Sequence, residues 1–585
     1  MTPVGRTPQC LGNAIQRDFP AIFAWTAIAL LAFGLRAAQM RESLWLDELH
    51  TAWTVAEGWS DVAWRAAIGN QSPLYFWIVA LVRRGVGFHE IGLRLPSLLA
   101  GMALVLGAGW LTQRGTGCRS AGLLVGAMVA LDRHAIFYAQ EARPYALVQL
   151  VGLVHVGLFL ALLQRPSRRT RWAWIATGLG LYYLHYTAIL VIPAQLVAWL
   201  LLHLRSAWRP RYGARQFIGD LGLLAVGLAP SIPQLLEIAQ HRSAWGLFIP
   251  REIPLSAVLA LFPLWVYLLI PLGFYGLAWM GSLWSGARSG ESSAASAEVA
   301  GGARELAADA SVPGYRERLF LLIVLVGWLG VPLLLAWLAT VLDWARLFFL
   351  RYVLVAAVAA PLLAGYIWSL IPSRRWRAVC AATLVAALIW QGGFVTQYLH
   401  DGRVLADRRQ DWRGAVALLQ QQVADRDGPV LVRSGLIEAD RLRRPHHPRV
   451  RDYCLLPVRG LYRLEIPPDR LEPLPTSGSE QLTDQQWAAI LGAGEAWFLL
   501  AGAAATVQRL QDRIVATLVE QGQRVHVERA FFGHVAVLHL QLASGDSAAE
   551  GAAFRRAPCG NGTGCVARDA SMACRDQPFV AGAGA

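Results

Sequence analysis

Residues 41–53 read RESLWLDELHTAW and place two adjacent carboxylates, Asp47 and Glu48, directly after an apolar run over 21–40. Acids are least welcome where a membrane ends, so what surrounds the pair decides the kind of protein. The chain of 585 residues is 55% hydrophobic and only 16% charged. Its apolar residues come in blocks instead of at amphipathic spacing. Such blocks recur near 21–40, 95–112, 121–137, 146–163, 172–184, 188–204, 217–233, 255–280, 319–341, 352–371 and 378–396. Blocks of about twenty residues match the thickness of a bilayer. The composition therefore predicts a polytopic α-helical membrane protein with about eleven spans. The run from Ala21 to Leu35 lacks a small-residue cleavage site and reads as the first span.

The net charge of +14 does not point to nucleic acid, because the arginines gather in short loops between apolar blocks. QRPSRRTR (164–171), RSAWRPRYGAR (205–215) and SRRWR (373–377) fall on one side if the N-terminus is cytoplasmic. The loop carrying Asp47 and Glu48 then faces outward from a plasma (inner) membrane, and an odd number of spans puts everything after 396 outside as well. Seven cysteines (Cys10, Cys118, Cys380, Cys454, Cys559, Cys565 and Cys574) form no CxxC and read as incidental.

Five regions follow. Residues 1–400 form the multi-spanning domain. Its first outer loop, 41–94, carries Trp53, Trp59 and Trp64 among charges and suits interfacial helices. The Gly/Ser/Ala-rich stretch 284–318 reads as a flexible cytoplasmic linker. From 401 to 545 strand-like GPVLVRSG, EAWFLLAG and HVAVLHLQL alternate with the amphipathic ATVQRLQDRIVATLVEQG, which predicts an extracytoplasmic α/β domain. Residues 546–585 read as a disordered tail.

Asp47 and Glu48 sit among Leu44, Trp45 and Leu46, so they cannot simply dissolve in water. A partly desolvated carboxylate gains proton affinity, as a general base requires. FYAQEARPYAL (137–147) sets Glu141 and Arg143 between Tyr138 and Tyr145. Arg143 suits a phosphate and the tyrosines suit sugar faces, although an interfacial Arg–Glu pair reads equally well. Arg346 and Arg351, with Tyr352, stand at the outward entry of a late span, where an anionic headgroup or a pair with Asp343 would explain them. His185 lies in a short outward turn, and His446 and His447 read as loop.

LWLDELHT, QSPLYFWIVAL, IGLRLPSLLAG, FYAQEARPYAL, YYLHYT, FLRYVLVA and QDWRGAVALL occur in that order over about residues 20–420. As an ordered set they resemble the bacterial glycosyltransferase family 39-like proteins, relatives of protein O-mannosyltransferases and of the lipid A aminoarabinose transferase. The resemblance implies a GT-C type membrane fold with an outward catalytic cavity and a donor sugar on a polyprenyl phosphate. It implies that Asp47 is a base or a metal-linked acid with Glu48 as its neighbour. It matches Arg143 to the arginine of an SQEAR-type motif, and Arg351 and Tyr352 to an RY that opens a late span. With such a donor, a single displacement with Asp47 as base would transfer the sugar with inversion to an acceptor hydroxyl; lipid, glycan and protein acceptors of the cell envelope are all compatible, and a divalent cation is left open with no other cofactor. The chain departs from the pattern where relatives read HPPLYY, because Gln71 and Ser72 stand there. A transporter or flippase of lipid-linked sugars would also need an outward cavity, but neither paired halves nor broken helices in corresponding positions are apparent.

Overall fold

The computed structural model describes residues 8–240, 249–250, 252–289, 314–406, 408–439, 448–476 and 482–543. Most of the 284–318 stretch, the RPHHPR histidines and the 546–585 tail lie outside the described residues.

Each of the eleven apolar blocks coincides with a helix. Among the described residues, seven helices are long and apolar enough to cross a membrane, and up to eight if a bent pair counts as one span. The chain is thus a polytopic helical membrane protein, with fewer full-length candidates than about eleven. The shortfall has local causes. The helix Arg168–Leu184 begins with a run of arginines that dilutes its apolar length, and Trp265–Gly281 and Leu354–Ser369 are short.

Helix α1 (Pro8–Ala37) leads into the 41–94 segment, where α2 (Leu46–Ala56), α3 (Val62–Ile68) and α4 (Leu74–Val86) precede α5 (Glu90–Thr116). None of α2, α3 and α4 is of spanning length. The bent pair is α6 (Arg119–Leu131) and α7 (Arg133–Ala139), inclined at 62°. Its cause is visible in the capping. Arg36 donates to the carbonyls of Val129 (2.9 Å) and Ala130 (3.1 Å) and so closes α6. Asp132 then restarts the chain as N-cap of α7, accepting from Ala135 N at 2.7 Å. The bend carries the QEAR turn to α2 before α8 (Tyr145–Gln164) begins.

The basic loops gather at the other end of the bundle. Arg171 holds Asp220 through two 2.7 Å hydrogen bonds, Arg211 N donates to Leu163 O at 3.0 Å, and Arg318 donates to Thr116 O at 3.2 Å.

The C-terminal part contains a mixed five-stranded sheet of order β2-β1-β3-β5-β4. The strands are β1 (Val430–Arg433), β2 (Leu471–Pro473), β3 (Glu495–Ala501), β4 (Arg524–Phe531) and β5 (Val535–Ala543). β1 pairs parallel with β2 and β3, and β5 pairs antiparallel with β3 and β4. The alternation of side chains splits the sheet between two cores. Leu431, Phe498, Leu500, Ala536 and Leu538 pack under Val507, Leu510, Ile514 and Leu518 of the helix Ala504–Glu520. Val430, Val432, Trp497, Leu499, Val535 and Val537 instead join the apolar core that continues into the bundle. Docking on that face brings the domain over the 41–94 loop. There Tyr462 accepts from Leu44 N at 2.8 Å and Gln410 accepts from Leu46 N at 3.0 Å.

Candidate active site

Asp47 lies in the first turn of α2, where the helix dipole favours a carboxylate. Its Oδ2 accepts from Arg351 Nη1 at 2.6 Å, and both side chains remain about a quarter exposed, at 25% and 26%. Arg351 stands in the single turn Leu350–Tyr352. Arg143, which is buried, donates to the backbone carbonyl of Asp47 at 3.1 Å. It also lies 3.3 Å from Nδ1 of His50. With the Gln71 amide oriented to satisfy its surroundings, its oxygen accepts from Arg143 as well.

Aromatic rings close the cluster. Tyr138 and Tyr145 are 4.9 Å apart, Tyr145 and His185 5.7 Å, and His185 and Tyr352 5.7 Å between centroids. The Arg143 and Arg351 guanidiniums each lie 5.8 Å from a ring, Tyr145 and Tyr352 respectively. Thr187 fixes this side by donating to Tyr352 O (2.7 Å) and pairing with His185 Nδ1 (2.8 Å). Asp47, Arg143, Tyr138, Tyr145, His185, Arg351 and Tyr352 therefore meet in one place. Arg346 does not join them and pairs with Asp343 at 3.0 Å.

Glu48 is turned the other way. Arg94 grips it from α5 through Nε (2.7 Å) and Nη2 (2.6 Å). Ala142 N donates at 2.8 Å, Arg408 at 3.0 Å and Trp45 N at 3.4 Å. A carboxylate offers about four lone-pair directions, so five donors leave none for a substrate. Both Glu48 and Arg94 have no exposed side-chain surface. The QEAR turn is tied to α2 a second time by Thr51 Oγ1 donating to Ala142 O at 2.7 Å.

Glu141 is also fully buried, and neither of its oxygens has a hydrogen-bond partner among the described residues. It therefore contacts no substrate in this conformation.

The electrostatics separate these acids. Burial pushes the Asp47 carboxyl up, but the Arg351 and Arg143 guanidiniums outweigh it and hold the group below its ordinary value. Glu48 is held low in the same way by Arg94 and Arg408 against burial. For Glu141, burial prevails over Arg408, with Glu48 and Asp47 adding to it, and the carboxyl is pushed up to about 8. Burial and then Arg143 push His50 down to about 3. Burial, Arg143 and Arg351 do the same to His185. Both imidazoles are thus neutral, and His50 can accept from Arg143.

Among the described residues no group of three His, Cys, Asp or Glu side chains is placed to hold a metal ion. The acidic pair already faces four arginines. This donor set does not fit a divalent cation, and no step below uses one.

Four contributors escaped the sequence reading. His50 follows Asp47 by three residues and so shares its helix side, a usable signal. Arg94 is a lone arginine in the opening turns of the long apolar α5, also readable. Gln71 stood out only as a departure from a motif. Arg408, 360 residues from Glu48, carried no signal.

No protein-family model matches the chain, and no curated protein matches it. Among solved structures it is similar to ArnT from Cupriavidus metallidurans in the apo state, at 13% identity and a TM-score of 0.49 over 89% of this chain and 98% of that one. The same protein bound to undecaprenyl phosphate gives 14% and 0.47 over the same shares. The Archaeoglobus fulgidus oligosaccharyltransferase, in complex with zinc and sulfate, gives 10% and 0.45 over 81% and 68%. These are likenesses of architecture, and they assign no role to any residue of this chain.

Proposed function

We propose that this protein is a GT-C type glycosyltransferase of the plasma membrane. It would move a sugar from a polyprenyl-phosphate carrier to an acceptor hydroxyl, with inversion, on the extracytoplasmic side. The observation that carries the reading is the half-open Asp47 between Arg351 and Arg143 in a ring of tyrosines, at the end of a membrane bundle. The ordered motifs quoted above support it, and the gathering of basic loops at the far end supports the orientation.

Arg143 and Arg351 hold the donor phosphate, and their charges stabilise it as it leaves. Asp47 takes the acceptor proton while the oxygen attacks the anomeric carbon from the opposite face. One displacement inverts the centre, and the phosphate leaves without a second carboxylate acid. Glu48 acts as a positioning residue, holding α2 and the QEAR turn in register.

The resting ion pair gives this scheme an order. While Arg351 grips Asp47, the carboxylate is a weak base. A donor phosphate competes for the same guanidinium, and as Arg351 turns to it the burial of Asp47 again raises its proton affinity. The base sharpens when the donor arrives.

The test is Asp47→Asn in liposomes supplied with polyprenyl-phosphate sugar. The amide keeps the shape but takes no proton, so transfer should fall roughly 10²–10⁴-fold while donor binding persists. Near-normal transfer by the folded variant would overturn the assignment. Passage of intact donor across the bilayer without glycosidic cleavage would replace it with a flippase.

A further inference from the structure

A cavity lies away from Asp47. It holds about 420 Å³ between the start of α7 and the break in the last membrane helix, where Gly393 (φ +65°) separates Arg374–Gly392 from Phe394–Asp401. Only a residue at ease in the left-handed region makes that break cleanly, and the break opens the space. The volume is that of an ordinary ligand pocket.

Its lining is polar on one side. Arg133 lines it and makes no ion pair or hydrogen bond among the described residues. The amide oxygen of Gln391 is buried there without a partner. Thr396 and His400 complete the rim, and the acid of the lining, Asp401, is already taken by the Gln397 amide. The surroundings, in contrast, are apolar and uncovered: Trp390 is 77% exposed, Val395 59% and Leu399 77%. In a membrane protein such a surface faces acyl chains. An unpaired arginine is costly at that depth unless something anionic meets it.

We propose that this cavity binds the phosphate of a membrane glycerophospholipid through Arg133, with the acyl chains lying along Trp390, Val395 and Leu399. The site is separate from the one assigned to the donor phosphate and stands whether or not the glycosyltransferase reading holds. It borders the active site through one side chain. Phe137 packs with Ile136, Phe394 and Leu405 beside the cavity, and it meets Tyr138 at 5.2 Å and the Arg408 guanidinium at 5.3 Å on the other side.

The test is native mass spectrometry of the full-length chain in detergent, titrated with phosphatidylglycerol or with diacylglycerol of the same acyl chains. Wild type should retain one phosphatidylglycerol and no diacylglycerol. Arg133→Ala should weaken that retention at least about tenfold, the loss of one charge-assisted contact. Arg133→Lys should keep most of it, and Arg84→Ala, at an arginine stacked on Trp59 outside the cavity, should change nothing. Equal retention by wild type and Arg133→Ala overturns the site. Equal loss in Arg84→Ala reduces it to general surface charge. Displacement by millimolar inorganic phosphate overturns the lipid as the source of the anion.

Discussion

Two acids adjacent in the chain, Asp47 and Glu48, occupy opposite regimes. Each is held by arginines and each is kept ionised by them. Yet Glu48 meets five donors and no open space, whereas Asp47 meets one side-chain donor and keeps a quarter of its surface. One step along a helix turns the side chain by about 100°, which is enough to move a carboxylate from scaffold to cleft. What separates the two acids here is therefore the number of unclaimed lone pairs and the surface left open to reach them, since the charge of their partners is alike in kind.

That contrast can be broken in graded ways. The largest expected effect is the roughly 10²–10⁴-fold loss of transfer in Asp47→Asn without loss of folding. If Glu48→Gln caused the same loss in a fully folded protein, the contrast would fail.

Removing one partner of a buried pair leaves an unmatched charge. Glu48→Ala and Arg94→Ala should each lose about 3–5 kcal/mol of stability, read as a lower Tm in detergent. The double change Glu48→Leu with Arg94→Met should recover much of it, which would confirm a clamp instead of a catalyst.

A smaller effect is expected for Arg143 and Arg351. Arg143→Ala and Arg351→Ala should raise the donor KM by an amount equivalent to about 1.5–3 kcal/mol and leave the acceptor KM little changed. Lysine should rescue only in part, because it lacks the planar fork. Unaltered donor curves in both variants would return the two residues to a structural role.

The smallest effect concerns Glu141 and pH. Its folded value of about 8 lies above the ordinary carboxylate value. The stability contributed by the neutral form is thus complete below about pH 4.5 and is lost as pH rises through 8. Glu141→Gln should match wild type near pH 4, be the more stable protein already at neutrality, and hold its largest advantage above pH 8 by thermal melting. Asp47 runs the other way, since its depressed value makes its contribution present at neutral pH and lost on acidification. A Glu141→Gln variant that melts in parallel with wild type across this range would remove the buried neutral acid.

Much of this is legible in the sequence. The apolar blocks placed the helices, and β1, β3, β5 and the helix Ala504–Glu520 stand where alternation and i, i+3, i+4 spacing put them. β2 was missed because it is three residues ending in proline. β4 was missed because its charged residues sit on a largely uncovered edge. For the site, residue type and motif order picked out the tyrosines, His185, Arg143 and Arg351 that the structure brings together around Asp47. They could not show that Glu48 is saturated and Glu141 sealed, since both facts depend on Arg94, Ala142 and the bend at Asp132 coming together in space.

The hydrogen bonds that cross from α2 to the chain beyond the last span carry a consequence for biosynthesis. Leu46 N waits for Gln410, 364 residues later, and Glu48 waits for Arg408. At roughly 5–20 residues per second, the ribosome needs on the order of 20–70 s to deliver those partners after α2 has emerged. Through that interval the two acids sit in a nascent chain whose later helices are still being threaded into the bilayer. The contacts around the two acids are completed only after the last membrane helix has been made, so a nascent chain that stops short of residue 408 lacks the partners that hold α2 in place.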